Sequence, residues 1–527
     1  MKKYYVSNLF LLALATFLGV CQVAGQDSTK RPSVSEALFL KGERLYQKQC
    51  VSCHGAQGTG DGSAAYLLYP KPRDFTRGEF RLISTTTMEA TDEDLFKTIT
   101  RGMSGSAMPP WDFLPEEDRW GLVYYVRYLA ELGKARKAGT FSDEAIQKGI
   151  PWETRKKLMT KEISPDAVIQ VSNESPVTSE SLTRGRELFV KACAPCHGRE
   201  GRGDGQKRME DSLGFPLKPR DLTSGFFKGS SASEDMYDRM VAGIPGTPMP
   251  SYQGAFSDEQ IWDLIHYVQT LSKPQIEERV RLRRNVLVAQ KMKGKLPMEP
   301  LQEDWMRVEP VSIALTPLWW RDERIERIDV RILYNEETIA FHLSWHDSTR
   351  DSATLAPQSF SDGVALQFSM ENDPPFFAMG SKGHSVFIWH WKASWQEDQL
   401  EWVDIETRYP NMATDGYQFH DPRFMAGWGA GNPLSDPERK SSAEEGVAQG
   451  FGSFTTQISS SEKVHAKGIW HDGQWEVVFV RSLKTKDSAG VQFKPGGTIP
   501  IAFAVWDGSQ QDRNGQKMIS IWNELRI

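Results

Sequence analysis

Two short runs carry recognisable chemistry: Cys50-Val51-Ser52-Cys53-His54 and Cys193-Ala194-Pro195-Cys196-His197. Two thiols held two residues apart can add to the two vinyl groups of one haem, and the adjacent imidazole is left to ligate the iron from one side. A C-x-x-C pair can also be a redox disulfide or half of a zinc site. The first needs a βαβ context, which the flanking pattern lacks, and the second needs the two pairs to converge from separate segments. Covalent haem at both runs is the expectation.

The elements that must position these residues are duplicated. Gly42-x-x-x-Tyr46 before the first run returns as Gly185-x-x-x-Phe189 before the second, and Gly58-x-Gly60-Asp61-Gly62 returns as Gly201-x-Gly203-Asp204-Gly205. Lys71-Pro72-Arg73-Asp74 matches Lys218-Pro219-Arg220-Asp221, Ala107-Met108-Pro109 matches Pro248-Met249-Pro250, and Trp120, Tyr125 and Val126 match Trp262, Tyr267 and Val268. Each copy reads as a small all-α unit, spanning 34–133 and 179–275. A helix leads into the cysteines, a Gly- and Pro-rich stretch and a Met-Pro follow, and an amphipathic helix closes the unit. Pro115-Glu116-Glu117-Asp118 and Ser257-Asp258-Glu259 are acidic helix starts that suit the positive end of the helix dipole.

Both copies resemble the cytochrome c family. In that family a methionine in a proline-braced loop is the second iron ligand, which implies Met108 opposite His54 and Met249 opposite His197; ordinary core packing is the competing reading. The resemblance also implies that Arg73 and Arg220 contact haem propionates, against the alternative of surface-loop arginines. An iron closed on both sides carries electrons and does not bind substrate, which speaks against a dihaem peroxidase.

The chain has 527 residues, too many for one core, and its net charge of −6 gives no basic excess of the kind that binds nucleic acid. Lys2, Lys3, an apolar run from Leu9 to Cys21 and a small-residue Val23-Ala24-Gly25 predict a signal peptide over residues 1–25, hence a periplasmic or other extracytoplasmic location. Lipidation of Cys21 is the alternative. No other run is long and apolar enough to span a bilayer.

Residues 134–178 are polar and read as a linker or irregular arm, and 276–295, with seven Lys or Arg against two Glu, as a basic connector with a solvated helical face. From 296 the period becomes two. Ile328, Val330 and Ile332, a turn at Asn335-Glu336-Glu337, and Ile339, Phe341, Leu343 and Trp345 predict one β-hairpin; Ile469-Trp470, Asp472-Gly473 and Trp475–Val480 predict another. Further strands are expected at 364–368, 386–391, 499–506 and 518–522, with a long mobile loop over 429–462. Thirteen of the 17 tryptophans lie from Trp305 onward. The fold class is therefore multidomain: two all-α cytochrome c units, then an all-β sandwich over 296–527. The seven histidines from His342 to His471 show no metal spacing.

The segments Asp373-Pro374-Pro375-Phe376-Phe377-Ala378-Met379-Gly380, Ala504-Val505-Trp506-Asp507-Gly508 and Gly515-Gln516-Lys517-Met518-Ile519-Ser520-Ile521-Trp522 resemble the haem-binding γ subunit of ethylbenzene dehydrogenase and its relatives. Those relatives are γ subunits of exported molybdenum enzymes of the dimethyl sulfoxide reductase superfamily, nitrite oxidoreductase among them. The resemblance implies a non-covalent b haem between Met379 and Lys517. It also implies iron–sulfur and molybdenum partner subunits, and a soluble cytochrome or terminal oxidase as redox partner. The chain itself would be an electron-transfer subunit and not the catalyst, because its four remaining cysteines are committed to haem. A free-standing dihaem carrier whose β domain binds a carbohydrate or a protein is the alternative.

Overall fold

The computed structural model describes residues 31–160, 162–272, 274–371, 374, 379–400, 409–411, 439–457, 464–485 and 490–527. The expected signal peptide, Cys21 and residues 375–378 of the first γ-subunit-like segment lie outside them. No helix among the described residues is long and apolar enough to cross a membrane.

The first helical unit comprises α1 (Glu36–Gln49), α2 (Val51–His54), α3 (Asp92–Arg101) and α4 (Glu116–Lys137). Ser35 caps α1 by accepting from the Leu38 N–H, and Thr91 and Asp94 form a capping box on α3. Glu116, Glu117 and Asp118 occupy the first turn of α4, where the helix dipole favours them. Next come α5 (Asp143–Lys148) and α6 (Trp152–Met159), then the second unit: α7 (Ser179–Ala192), α8 (Ala194–His197), α9 (Ser233–Ala242) and α10 (Asp258–Leu271).

The repeated glycine before each cysteine pair has a packing cause. A Cβ on Gly42 would lie 2.0 Å from the Gly121 carbonyl oxygen of α4, and one on Gly185 would lie 2.0 Å from the Asp263 carbonyl oxygen of α10. First and last helices thus cross with backbones in contact, which only glycine allows. Tyr46 and Phe189, one turn on, are buried in the two cores.

The segment expected as a linker is a structured arm. Ile150, Met159 and Ile169 are buried against the first unit, and Thr86 N–H and Ile169 N–H donate to the Ala167 and Ser84 carbonyls. A few residues on, Ser172 accepts from Trp262 Nε1 at 3.0 Å, and Glu174 meets His266 Nε2 at 2.9 Å. One polar stretch therefore stitches the two units together.

The basic connector contributes α11 (Pro274–Val280) and two strands, β1 (Val286–Val288) and β2 (Gln290–Lys291). Next in order are α12 (Glu303–Met306), β3 (Val311–Ala314), β4 (Thr316–Pro317), β5 (Arg327–Tyr334), β6 (Thr338–His346), β7 (Gly363–Phe368), β8 (Val386–Lys392) and α13 (Ala393–Leu400). The chain ends with β9 (Ala443–Ala448), β10 (Thr455–Thr456), β11 (His465–His471), β12 (Gln474–Ser482), β13 (Thr498–Trp506), β14 (Met518–Ile519) and β15 (Asn523–Arg526). Among the described residues these strands form two sheets. One runs β1-β15-β13-β7-β8-β9-β10, with β14 on β13 and β4 on β14; the other runs β11-β12-β6-β5-β2, with β3 on β5. Their inner faces meet in an aromatic seam in which Phe368 packs on Trp389 (4.9 Å) and on Phe341 (5.8 Å).

Both predicted hairpins form, β5–β6 and β11–β12, the latter turning through Asp472 and Gly473 with positive φ. The expected loop over 429–462 needs correction, since Ala443–Ala448 pairs with β8 as a strand. Its charges are buried as pairs: Glu444 with Lys392, and Glu445 with Arg481.

Gly185→Ala should lower unfolding stability by about 1–3 kcal/mol, the cost of overpacking a closed contact. Denaturant melts would read it, and a curve superimposable on the wild type would show that the crossing is not tight.

Candidate functional site

Two glycine-rich loops fold back over the histidines in the same way. Gly60 N–H donates to the His54 carbonyl and Gly203 N–H to the His197 carbonyl, at 2.9 and 2.8 Å. Both glycines have positive φ, and a Cβ would strike the Pro72 or Pro219 carbonyl oxygen. The imidazoles are oriented identically: His54 Nδ1 lies 3.0 Å from the Arg73 carbonyl oxygen and His197 Nδ1 lies 3.1 Å from that of Arg220. A proton on Nδ1 leaves the Nε2 lone pair for a metal. Burial pushes His54 down to about 4 and lowers His197 too, so both rings are neutral at pH 7.

Cys50, Cys53, His54 and Met108 line one cavity, with Leu68, Ile99 and Val126 among its apolar walls. Burial raises the Cys50 and Cys53 thiols to about 12 and Cys193 to about 11, which disfavours a thiolate nucleophile or a zinc ligand. The methionine loops repeat bond for bond. Met108 N–H donates to Ser106 Oγ and Met249 N–H to Thr247 Oγ1, each at 3.3 Å. Their carbonyls accept from Met103 and Ile244. The loops that present the two methionines therefore have one conformation, built from different residues.

Arg73 lines the first cavity. Arg220 is only partly exposed: it stacks over Trp320 at 4.5 Å, and its Nη2 donates to the Gly105 carbonyl of the Met108 loop at 3.1 Å. Lys228 and Arg81, which the sequence did not single out, line the first cavity as well.

The sandwich holds an open cavity of about 1170 Å3, of cofactor size. Lys517 and Met379 converge in it, Nζ to Sδ 3.7 Å. Lys517 precedes β14 and its ammonium lies 4.8 Å over the Trp506 ring; burial pushes it down to about 8, toward a neutral amine with a free lone pair. Met379 has φ 63° and donates its N–H to Gln367 Oε1. His390 lines the same cavity and stacks against Trp506, at 4.5 Å. Tyr66 and Leu67 of the first helical unit complete the lining.

Beside this cavity lies a buried acidic group. Asp347, Asp362 and Asp507 offer carboxylate oxygens within 4.8 Å of one another. Asp362 accepts from Asp351 N–H, Trp475 Nε1 and Gly508 N–H, yet burial and then the Asp347 charge lift it to about 8. Burial lifts Asp347 to about 6.

The comparisons agree with this division. Residues 37–126 match the family model described as cytochrome C oxidase, cbb3-type, subunit III, and 182–272 match cytochrome c. Residues 302–518 match ethylbenzene dehydrogenase. The chain is thus a pair of cytochrome c-type units followed by an ethylbenzene dehydrogenase-type sandwich, which implies haem c in the first part and haem b in the second.

Among individual relatives, the dimethylsulfide dehydrogenase subunit gamma of Rhodovulum sulfidophilum is 29% identical over 238 residues, 43% of this chain and 73% of that protein. The putative respiratory nitrate reductase heme subunit ORF7 of Haloferax mediterranei is 27% identical, covering 43% and 67%. A chain of the Kuenenia stuttgartiensis reducing HAO-like protein complex is 35% identical, covering 46% and 98%, with a TM-score of 0.38.

Asp347 and Asp362 both hold protons more tightly folded than unfolded, so their stabilising contribution is full below about pH 4 and is lost as pH rises through about 6 and then about 8. Asp347→Asn keeps the Oδ1 acceptor for Thr349, and Oδ2 has no partner to lose. The variant should be more stable than wild type by on the order of 2 kcal/mol at pH 8 and no different at pH 4. Melting curves at the two pH values test the sign.

Proposed function

We propose that this chain is the multihaem electron-transfer subunit of an exported molybdenum oxidoreductase of the γ type. It relays electrons between an iron–sulfur subunit and a soluble cytochrome or terminal oxidase, and the parent enzyme is nitrite oxidoreductase-like. The observation that carries the reading is the meeting of Met379 Sδ and Lys517 Nζ, 3.7 Å apart, in the wall of a cofactor-sized cavity, in the region that matches ethylbenzene dehydrogenase.

Three cofactors follow, two haem c and one haem b. Cys50, Cys53, Cys193 and Cys196 would make the thioethers, His54 with Met108 and His197 with Met249 would be the axial pairs, and Met379 with Lys517 would hold the b haem. Iron held between two strong protein ligands exchanges single electrons and is closed to substrate. The chain's own part is to fix the imidazole tautomers, brace the methionine loops and, by burial, bring Lys517 toward the neutral amine. It also places the sites in series: Tyr66 and Leu67 of the first unit line the sandwich cavity, and Lys228 of the second unit lines the cavity of the first.

Replacing both cysteines of either pair by alanine should halve the covalent haem retained on a denaturing gel, and full retention would sink the assignment. A pyridine haemochrome assay on protein expressed with its partner subunits should give two haem c to one haem b. Lys517→Ala should change the b-haem spectrum, whereas the volume-conserving Met518→Leu should not. Protein with haem c alone would move the free-standing carrier reading ahead.

A further inference from the structure

Four cations gather where the two cytochrome c-type units meet. Arg73, Arg81 and Lys228 all line the first cavity, although Lys228 belongs to the second unit. Arg220, also from the second unit, reaches the Gly105 carbonyl in the first unit's methionine loop, and Arg81 of the first approaches the Gly246 carbonyl in the second unit's loop at 3.5 Å. Each unit thus sends a cation onto the loop that presents the other's methionine.

Glu79 acts on Arg73, and Asp322 and Asp221 act on Arg220, but at Lys228 anions do not balance the group. Asp211 pairs with Arg81 at 3.4 Å. Burial first, and then the charges of Arg81, Arg220 and Arg73 against the one carboxylate of Asp211, hold the Lys228 ammonium well below its ordinary range. Among the described residues, Lys228 Nζ and the Arg73 guanidinium make no hydrogen bond or ion pair, and the Arg220 Nε is buried without a partner. Partly buried like charges repel more strongly than in water, and an unpaired ammonium is costly there, so the group calls for anions delivered from within the cavity.

We infer that Arg73, Arg81, Arg220 and Lys228 form one shared propionate clamp, in which Lys228 of the second unit binds a propionate of the haem held by the first. This rests on the haem reading proposed above. Each haem brings two carboxylates, the anion that the cluster lacks, and charge-assisted hydrogen bonds from ammonium or guanidinium to carboxylate suit it. The clamp makes docking of the units sensitive to haem loading and ties the potential of the first haem to a residue of the second unit. Positive charge near a haem favours the reduced iron, so losing it should lower the potential.

The experiment is a spectroelectrochemical titration of the full-length, haem-loaded chain carrying Lys228→Met, with Lys228→Gln as a second neutral variant and Lys228→Arg as the charge-retaining rescue. The neutral variants should lower the midpoint potential of one c haem, keep both covalent haems on a denaturing gel and leave the methionine-to-iron near-infrared band intact; Lys228→Arg should restore the potential. Potentials unchanged in both neutral variants, with both haems attached, would overturn the clamp and leave the haem reading standing. Loss by the wild-type chain of covalent haem at Cys50 and Cys53 would overturn the haem reading itself. A shift that Lys228→Arg does not restore would assign Lys228 a packing role and also overturn the clamp.

Discussion

A single hydrogen bond, made twice, organises the helical half of the chain: the bond from histidine Nδ1 to the backbone carbonyl of an arginine. In the first unit it joins His54 to Arg73, and in the second His197 to Arg220. It fixes the ring tautomer and pins the cysteine-bearing helix to a loop that otherwise has no regular structure. The same residue then does a second job with its side chain, since the guanidinium whose carbonyl orients the imidazole faces the neighbouring unit. Histidine orientation and unit docking are therefore coupled through one residue, which explains why Lys-Pro-Arg-Asp is repeated whole. Asp74 and Asp221 complete the logic by capping the short helical turns that follow, each accepting from the N–H two residues on.

The sandwich meets a different constraint, a lysine amine buried beside a thioether, where charge is disfavoured. Lys517 lies one residue before β14, a two-residue strand wedged between β13 and β4. Its backbone carbonyl accepts from Leu318, whose own carbonyl accepts from Tyr69 of the first helical unit. The Lys517 main chain is thus tied to the cytochrome c-type half through two consecutive bonds, while its side chain points the other way, under Trp506 toward Met379. The low dielectric that lowers its proton affinity comes from its own burial, with the Trp506 ring and the Met379 thioether against it.

How much of this was legible depended on sequence distance. The cysteine runs, the glycine loops and both hairpins are local, and spacing or period two displayed them. β9 is not legible as a strand because Glu444 and Glu445 break the apolar pattern; their partners Lys392, His390 and Arg481 lie far away in sequence, and nothing local shows that a charge will be paired. β1 and β2 were read as a charged connector for a similar reason. Both are short and pair in parallel with β15 and β5, so neither has a turn to announce it. Met379 and Lys517 came from resemblance alone, and their proximity is tertiary. Lys228 and Arg81 carry no motif, and only the docking of the two units brings Lys228 to the cavity that Arg81 and His54 line.

That docking separates this chain from a string of independent carriers. A free carrier domain closes its cavity with its own residues, and its distance to the next carrier is set by diffusion. Here the cavity of the first unit is closed partly by Lys228 of the second, and the sandwich cavity partly by Tyr66 and Leu67 of the first. The arm from 134 to 178 and the bonds through Tyr69 hold these contacts, so the spacing between sites is a property of the fold. An interface crowded with cations would ordinarily push the units apart. Carboxylates of the second unit offset part of that repulsion, Asp211 on Arg81 and Asp235 on Arg101, and the cations left over, Arg73 and Lys228, line the first unit's cavity.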